Sequence, residues 1–200
     1  DIVASGSQKG YMIPPGLSFI AMSQKAWEAA EKSNLPKFYL NLKSYRKSLL
    51  TNSNPYTPAV NLVFALDEAL KMMREEGLDN IFQRHNKHKL AMSNAVKALN
   101  LKLFADEKYL SPSITAIKTE GIDAEEFRKT IKNNFDILLA GGQDHLKGKI
   151  FRVGHLGYVN DRDIITVVSA MSNTLLKLGK ISAQQAGEAL VVASRYLEEN

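Results

Sequence analysis

Residues 5–17 of this 200-residue sequence read Ser5-Gly6-Ser7-Gln8-Lys9-Gly10-Tyr11-Met12-Ile13-Pro14-Pro15-Gly16-Leu17, and they restrict the backbone more than any other stretch. Two adjacent prolines exclude a helix here and impose an extended or turning path. The run from Asp1 to Ala4 favours a short strand directly before this stretch. Lys9 is therefore predicted to lie on a fixed turn that follows a strand.

A lysine on a rigid turn suits nucleophilic chemistry. An amine reacts with a carbonyl compound most readily when it is held in place and desolvated, because desolvation lowers its pKa. Lys9, with Gly6 and Gly10 close by, is a candidate for such an amine. The alternative is an ordinary solvated lysine, since lysine side chains are mostly exposed.

The composition is that of a globular chain of one domain or two modest ones. It has 26 basic and 21 acidic side chains, a net charge of +5, and 44% hydrophobic residues. No apolar run approaches the roughly 18 to 20 residues that a membrane span requires. The absence of cysteine excludes disulfides and thiol catalysis and agrees with a cytoplasmic location. The basic residues form no concentrated run interleaved with aromatics, so nucleic acid is not expected as a partner.

The periodicity predicts an α/β chain with a domain boundary at Gly77. Residues 38–50 are predicted to form a loop or short helical turns, and residues 52–58 an ordered loop. Beyond Gly77 we expect a small α/β sandwich with helices on one face of a sheet. Helices are predicted at 23–32, 59–73, 78–99, from 123, at 161–180 and at 182–199, and strands at 101–104, 114–118, 135–139 and 149–153.

A second candidate site residue is Arg152, which lies in the predicted strand Lys149–Val153. An arginine in an otherwise apolar strand is costly unless an anion meets it, and the guanidinium fork matches a carboxylate. The alternative is an internal ion pair with an acid such as Asp136 or Asp161.

A third candidate is Thr57, in the loop Asn54-Pro55-Tyr56-Thr57-Pro58 that precedes a helix. Hydroxyl groups beside the free N–H groups of a helix N-terminus favour a phosphate. Thr57 as a plain N-cap is the alternative.

Two further patterns give weaker evidence for a functional site. The glycine-rich turn Gly141 to Gly148 follows neither the dinucleotide nor the P-loop pattern. His85 and His88 are three residues apart on a predicted helix with basic neighbours. A solvated basic face is the expected arrangement there, and a metal-binding pair is the alternative.

The segment Ser5–Leu17 closely resembles the cofactor-lysine segment of the class V aminotransferases, specifically the alanine–glyoxylate and serine–pyruvate aminotransferase branch. That family also has a loop ending in Thr-(x)-Pro before a long helix and an Arg-(Ile/Val)-Gly strand near the C-terminus. Here these appear, in the same order, as Tyr56-Thr57-Pro58 and Phe151-Arg152-Val153-Gly154. The stretch 141–157 also resembles prokaryotic members, including those called the small subunit of a soluble hydrogenase.

The resemblance implies the C-terminal half of a fold-type I enzyme that uses pyridoxal 5'-phosphate (PLP). Residues 1–76 would be the remainder of the large cofactor-binding domain, and residues 77–200 the small domain. The implied reaction is amino transfer from alanine or serine to a 2-oxo acid such as glyoxylate or pyruvate. A homodimer with shared active sites is implied as well.

The resemblance also implies a role for each candidate residue. Lys9 would hold the cofactor covalently and move the proton at the substrate α-carbon, and Gln8 would lie beside the cofactor. Thr57 would reach the phosphate of the partner subunit's cofactor, and Arg152 would bind the substrate carboxylate. One departure is Asn54, where some relatives place a phosphate-binding tyrosine; Tyr56 is nearby.

The chain begins at Asp1 with neither an initiator methionine nor a signal peptide, and we expect it to belong to a longer protein. The family is roughly twice as long, and its other half supplies the aspartate that pairs with the pyridinium nitrogen. The chain as given is therefore not expected to be a competent enzyme alone. A hypothesis from another class is a non-catalytic subunit or interaction module that serves a hydrogenase-like partner.

Overall fold

The computed structural model describes residues 1–198 and divides the chain into two compact units, Asp1–Glu75 and the residues from Glu76 onward. Both units mix helices and strands. In chain order the elements are β1 Ile2–Gly6, β2 Ser18–Met22, α1 Gln24–Lys32, α2 Leu42–Leu49, α3 Val60–Glu76, α4 Leu78–Ala98, β3 Lys102–Leu103, β4 Ile114–Lys118, α5 Ala124–Phe135, β5 Ala140–Gly141, β6 Ile150–Gly154, α6 Asp161–Lys177 and α7 Ala183–Glu198.

The first unit is built around a two-stranded antiparallel sheet. Strands β1 and β2 pair from Ile2 opposite Met22 to Gly6 opposite Ser18, so residues 7–17 form the connection between them. Ser23 caps α1 as predicted, because its side chain accepts a hydrogen bond from Ala26 N at 3.2 Å. An eight-residue helix, α2, forms within the stretch predicted as a loop or short helical turns.

The second unit contains a four-stranded antiparallel sheet of order β3-β4-β6-β5. The buried strand residues Ile117 and Phe151 are cross-strand partners, and so are Thr115 and Val153. Cross-strand partners share a face of a sheet, so these four residues point toward the core that α4, α5, α6 and α7 complete. The expected α/β sandwich with helices on one face is confirmed.

The strand predicted at residues 135–139 is wrong. Helix α5 continues to Phe135, and Asp136 ends it in the left-handed conformation with φ 55°. Residues 137–139 alternate in burial as a strand does, but they join no ladder. The carbonyl of Leu139 accepts a hydrogen bond from Arg128 Nε at 2.8 Å instead, so the strand begins only at Ala140.

The two long helices α3 and α4 are separated by one residue, Gly77. Its φ of 83° lies in a region that other residues rarely adopt, which explains why the helical path breaks there. The predicted helix restart at Leu78 is confirmed. The last residue of the predicted final helix, Glu199, lies outside the described residues.

Candidate active-site residues

The turn that carries Lys9 is held by the buried side chain of Ser7. Ser7 Oγ donates a hydrogen bond to Pro14 O at 2.8 Å and accepts one from Leu17 N at 3.1 Å. Lys9 O accepts a hydrogen bond from Met12 N at 3.0 Å, which closes the turn. Lys9 therefore lies on a turn that Ser7 connects to both ends of the Pro-Pro-Gly segment, as the sequence predicts.

The Lys9 and Gln8 side chains project from this turn and are exposed. Among residues 1–198, no hydrogen bond or ion pair engages the Lys9 amine. The Gln8 side chain lies over Gly6, with Oε1 2.9 Å from the position that a Cβ of Gly6 would occupy. The turn thus presents an amine that has no partner in the described part of the chain and is exposed to solvent, as the alternative interpretation of Lys9 has it.

Thr57 lies on the exposed loop before α3 and does not cap that helix. Helix α3 begins at Val60, and Ala59 holds the N-cap position, since its carbonyl accepts from Val63 N. The interpretation of Thr57 as a plain N-cap is therefore wrong. No side chain in the described part of the chain accepts a hydrogen bond from the first turn of α3, and residues 52–58 line one open depression.

Tyr56 is held within an aromatic cluster in the same unit. Its hydroxyl donates to Phe38 O at 3.2 Å, and its ring centroid lies 4.7 Å from that of Tyr39 and 6.1 Å from that of Tyr45. Asn54 is exposed and lines a cavity of about 240 Å³ beside Trp27 and Arg46. The hydroxyl proton of Tyr56 thus already has an acceptor within the chain.

Arg152 lies in β6 of the second unit, on the face of the sheet opposite the helices. Its cross-strand partners are Ala116 and Ala140, and its side chain is half-buried. Its Nε donates a hydrogen bond to Gly141 O at 2.9 Å. Within residues 1–198, no hydrogen bond or ion pair engages the two terminal nitrogens of this guanidinium.

The proposed internal ion pair of Arg152 is absent from the described part of the chain. Asp161 binds Lys87 Nζ and His88 Nε2 instead, both at 2.9 Å. Asp136 occupies the C-cap of α5. The alternative interpretation of Arg152 is therefore wrong, and the charge of this guanidinium has no carboxylate partner among residues 1–198.

The expected solvated face at His85 and His88 is also wrong, because both side chains are buried. His85 Nδ1 donates to Ile81 O at 2.7 Å, and its Nε2 accepts from Gly157 N at 3.0 Å. No group of three or more potential metal ligands occurs within residues 1–198. His85 thus holds the loop after β6, and both of its ring nitrogens are engaged.

Arg84 holds the same loop. Its Nη1 donates to Gly157 O at 3.0 Å and to Val159 O at 2.9 Å, and its Nε donates to Glu76 Oε1 at 2.6 Å. This hydrogen bond lowers the pKa of Glu76. Sequence reasoning missed Arg84 because its loop partners lie more than 70 residues away. The available signal was that Arg84, His85 and His88 share one side of a helix.

Burial lowers the pKa of His88, although its hydrogen bond to Asp161 acts in the opposite direction. A neutral His88 donates Nε2–H to that carboxylate, and its Nδ1 has no partner in the described chain. Burial would raise the pKa of Asp161, but the hydrogen bonds from Lys87 and His88 outweigh it and lower that pKa.

Comparison with known proteins identifies the family. The family described as aminotransferase class-V matches residues 1–166. A protein of Synechococcus sp. (strain PCC 6716) named "Soluble hydrogenase, small subunit" is 55% identical, and the match covers 98% of this chain and 51% of that protein. The serine–glyoxylate aminotransferase of Methylorubrum extorquens is 36% identical, covering 100% of this chain and 51% of that enzyme.

Among solved structures, pyridoxamine-pyruvate aminotransferase from Mesorhizobium loti matches 99% of this chain and 52% of its own, with a TM-score of 0.92 and 26% identity. The expected fold class, an α/β part of a fold-type I PLP protein, is confirmed. The chain belongs to the class V aminotransferase family. It spans about half the length of the curated relatives it matches, as expected. No described helix is long and apolar enough to cross a bilayer.

Proposed function

We propose that this chain is part of a PLP-dependent aminotransferase that moves the amino group of alanine or serine to glyoxylate or pyruvate. The observation that carries this proposal is the rigid turn that presents the unpaired amine of Lys9. It agrees with membership of a family whose members include serine–glyoxylate aminotransferases. In this proposal Lys9 binds the cofactor covalently and accepts the proton that leaves the α-carbon of the amino acid.

The residues of the first unit fit such a cofactor. Lys9 offers an amine without a partner in the described chain, and Gln8 is its neighbour in the sequence. Thr57 offers an exposed hydroxyl before α3, and in this proposal it reaches the phosphate of the partner subunit's cofactor. Backbone N–H groups at a helix start and a threonine hydroxyl are suitable donors for a phosphate. When bound, PLP supplies the electron sink for loss of the α-proton. The residues of the protein hold the cofactor and the substrate, orient them, and transfer the proton.

Arg152 is proposed to bind the carboxylate that amino acids and 2-oxo acids share. Its charge has no carboxylate partner in the described chain, and a planar guanidinium can bind a carboxylate through two parallel hydrogen bonds. Replacement by lysine keeps the charge but removes this fork. Arg152→Lys is therefore expected to weaken carboxylate binding.

The assignment of residues 1–76 to the large domain and 77–200 to the small domain belongs to the same proposal. A homodimer with shared active sites and a cytoplasmic location are proposed with it. The family resemblance supports the homodimer, and the absence of cysteine agrees with the location.

The cofactor site is tested in the full-length protein by incubation with PLP, borohydride reduction and peptide mass spectrometry. We expect the reduced cofactor on the peptide that contains Lys9, and no label after Lys9→Ala. Lys25→Ala is the matched control, because Lys25 is also an exposed lysine of the first unit. Label that persists in Lys9→Ala would remove Lys9 from this role.

The reaction is tested by mixing alanine with glyoxylate, and serine with pyruvate, and following both products. Cofactor-dependent transfer is expected with at least one pair. Failure with every small amino donor would contradict the aminotransferase proposal.

The name of the Synechococcus relative keeps a second candidate function open, that of a non-catalytic subunit. This alternative predicts a full-length protein that neither forms the borohydride-stable label at Lys9 nor transfers amino groups. The same two measurements therefore separate the two functions.

A further inference from the structure

We propose that the Gly141–Gly142 segment is the positioning element for Arg152. This inference rests on the proposed function of Arg152 as the carboxylate-binding residue. The Gly141 carbonyl accepts the Nε–H of Arg152 at 2.9 Å. Engagement of Nε fixes the plane of the guanidinium and leaves its two terminal nitrogens for an incoming carboxylate.

The position of that carbonyl is set by the pairing of β5 with β6. Ala140 lies opposite Arg152, and Gly141 lies opposite Phe151. Gly142 N donates to Ile150 O at 3.1 Å, which extends the pairing beyond the strand. The acceptor for Arg152 is therefore carried by the strand next to its own.

Gly142 must be glycine for a steric reason. A Cβ at this position would overlap the backbone carbonyl of Leu146. That carbonyl cannot easily withdraw, because Leu146 N donates to Gln143 O at 2.9 Å and Leu146 O accepts from Lys149 N at 3.0 Å. Gly142 does not have a positive φ, so its lack of a side chain serves close approach and not an unusual backbone conformation.

Gly141 is crowded from another direction. A Cβ there would lie 2.6 Å from Arg128 Nη1 and 2.7 Å from Glu125 Oε1. Arg128 is itself held, since its Nε donates to Leu139 O at 2.8 Å and its Nη1 to Glu125 Oε2 at 2.6 Å. Arg128 and Arg152 thus bind carbonyls of the same segment, those of Leu139 and Gly141. The absence of side chains at 141 and 142 lets the surrounding groups approach this segment closely.

A larger residue at 142 is expected to displace the Gly141 carbonyl and with it the guanidinium of Arg152. The test measures the dissociation constant of propionate for the full-length, cofactor-loaded protein by calorimetry. Propionate has a carboxylate and no amino group, so its binding reports carboxylate recognition without turnover. We expect Gly142→Ala to weaken it about tenfold, the scale of losing one well-aligned hydrogen bond to a charged group.

Gly187→Ala is the matched control, because Gly187 is exposed in α7 and a Cβ there would meet nothing within 4 Å. This control should leave the dissociation constant unchanged. The double variant Gly142→Ala/Arg152→Lys should bind propionate no more weakly than Arg152→Lys alone, since the glycine acts through the guanidinium. In turnover, Gly142→Ala should raise KM for the amino acid and leave kcat nearly unchanged.

The outcomes separate this inference from the proposed function. If Arg152→Lys leaves propionate binding unchanged, or the unmodified protein does not bind propionate, the carboxylate role of Arg152 fails and the positioning role fails with it. If Arg152→Lys weakens binding but a folded Gly142→Ala does not, or if the two effects add, only the positioning role is overturned. Should Gly142→Ala not fold by circular dichroism, Gly141→Ala decides, and unchanged propionate binding then overturns the inference.

Discussion

At the scale of single residues, burial changes the protonation of His155 in the second unit. His155 is fully buried, with Nε2 2.9 Å from Thr115 Oγ1 and Nδ1 3.0 Å from Pro112 O. A neutral ring satisfies both partners by donating from Nδ1 and accepting at Nε2. Burial lowers the pKa of His155 to about 4. The folded state therefore binds this proton much less readily than the unfolded chain does.

This pKa predicts a stability change with pH. Above about pH 6.5, His155 is neutral in both states and the full stability is present. As the pH falls from about 6.5 to about 4, only the unfolded state gains the proton, so stability is lost. The expected loss is about 1.4 kcal/mol per pH unit, or about 3 kcal/mol over that window.

The measurement is urea unfolding of the full-length protein, followed by circular dichroism between pH 7 and pH 4. His155→Gln cannot titrate and should show a smaller loss of stability than the unmodified protein over this range. Equal pH slopes in the two proteins would contradict the prediction.

At the scale of elements, helix caps were the most predictable features. Ser23 and Asp123 were expected to begin helices, and both accept hydrogen bonds from N–H groups of the following turn. The prediction of a strand at Phe135–Leu139 is wrong although residues 137–139 do alternate in burial. The Leu139 carbonyl accepts a hydrogen bond from Arg128 and not from a neighbouring strand. A strand requires a partner, and the pattern of one segment does not report whether a partner exists.

Helix α6 offers a direct test of a cap. Asn160 Oδ1 accepts from Arg162 N at 2.9 Å and from Asp163 N at 3.3 Å, while Asp163 Oδ2 accepts from Asn160 N at 2.9 Å. Asn160→Ala is expected to lower the free energy of unfolding by about 1 kcal/mol, since it removes a capping acceptor. Asn160→Ser retains an acceptor and should lose less. Urea unfolding measures both, and an equal loss in the two variants would argue against the cap.

At the scale of the whole molecule, the two units differ in how completely they bury their apolar side chains. The second unit has a continuous core that includes Phe127, Phe151 and Met171. In the first unit, Phe38 is 81% exposed and Leu50 is 84% exposed. Further exposed apolar residues of this unit include Leu35, Leu40, Leu49 and Phe64. An apolar surface of this extent favours self-association and the binding of hydrophobic molecules.

The difference predicts unequal behaviour of two polypeptides. Residues 76–200 produced alone should unfold cooperatively, because they contain the continuous core. Residues 1–200 should bind more dye and self-associate, because they add the exposed apolar surface of the first unit. Introducing Phe38→Asp and Leu50→Asp into the longer polypeptide should reduce both effects. Equal dye binding by the two polypeptides, measured at equal concentration, would contradict the prediction.

Local sequence was sufficient for the starts of α1, α4 and α5, the bounds of β4 and the turn at Lys9, because caps, prolines and glycines act on backbone within a few residues of themselves. It could not show that His85 and His88 are buried. Nor could it show that Ala59 and not Thr57 holds the N-cap position of α3, or that Gly141 O accepts a hydrogen bond from Arg152. Those outcomes depend on contacts such as that between His85 and Gly157, which join distant parts of the chain. Burial and hydrogen-bond partners belong to the packed arrangement, because neighbours brought together by folding determine which groups lose water.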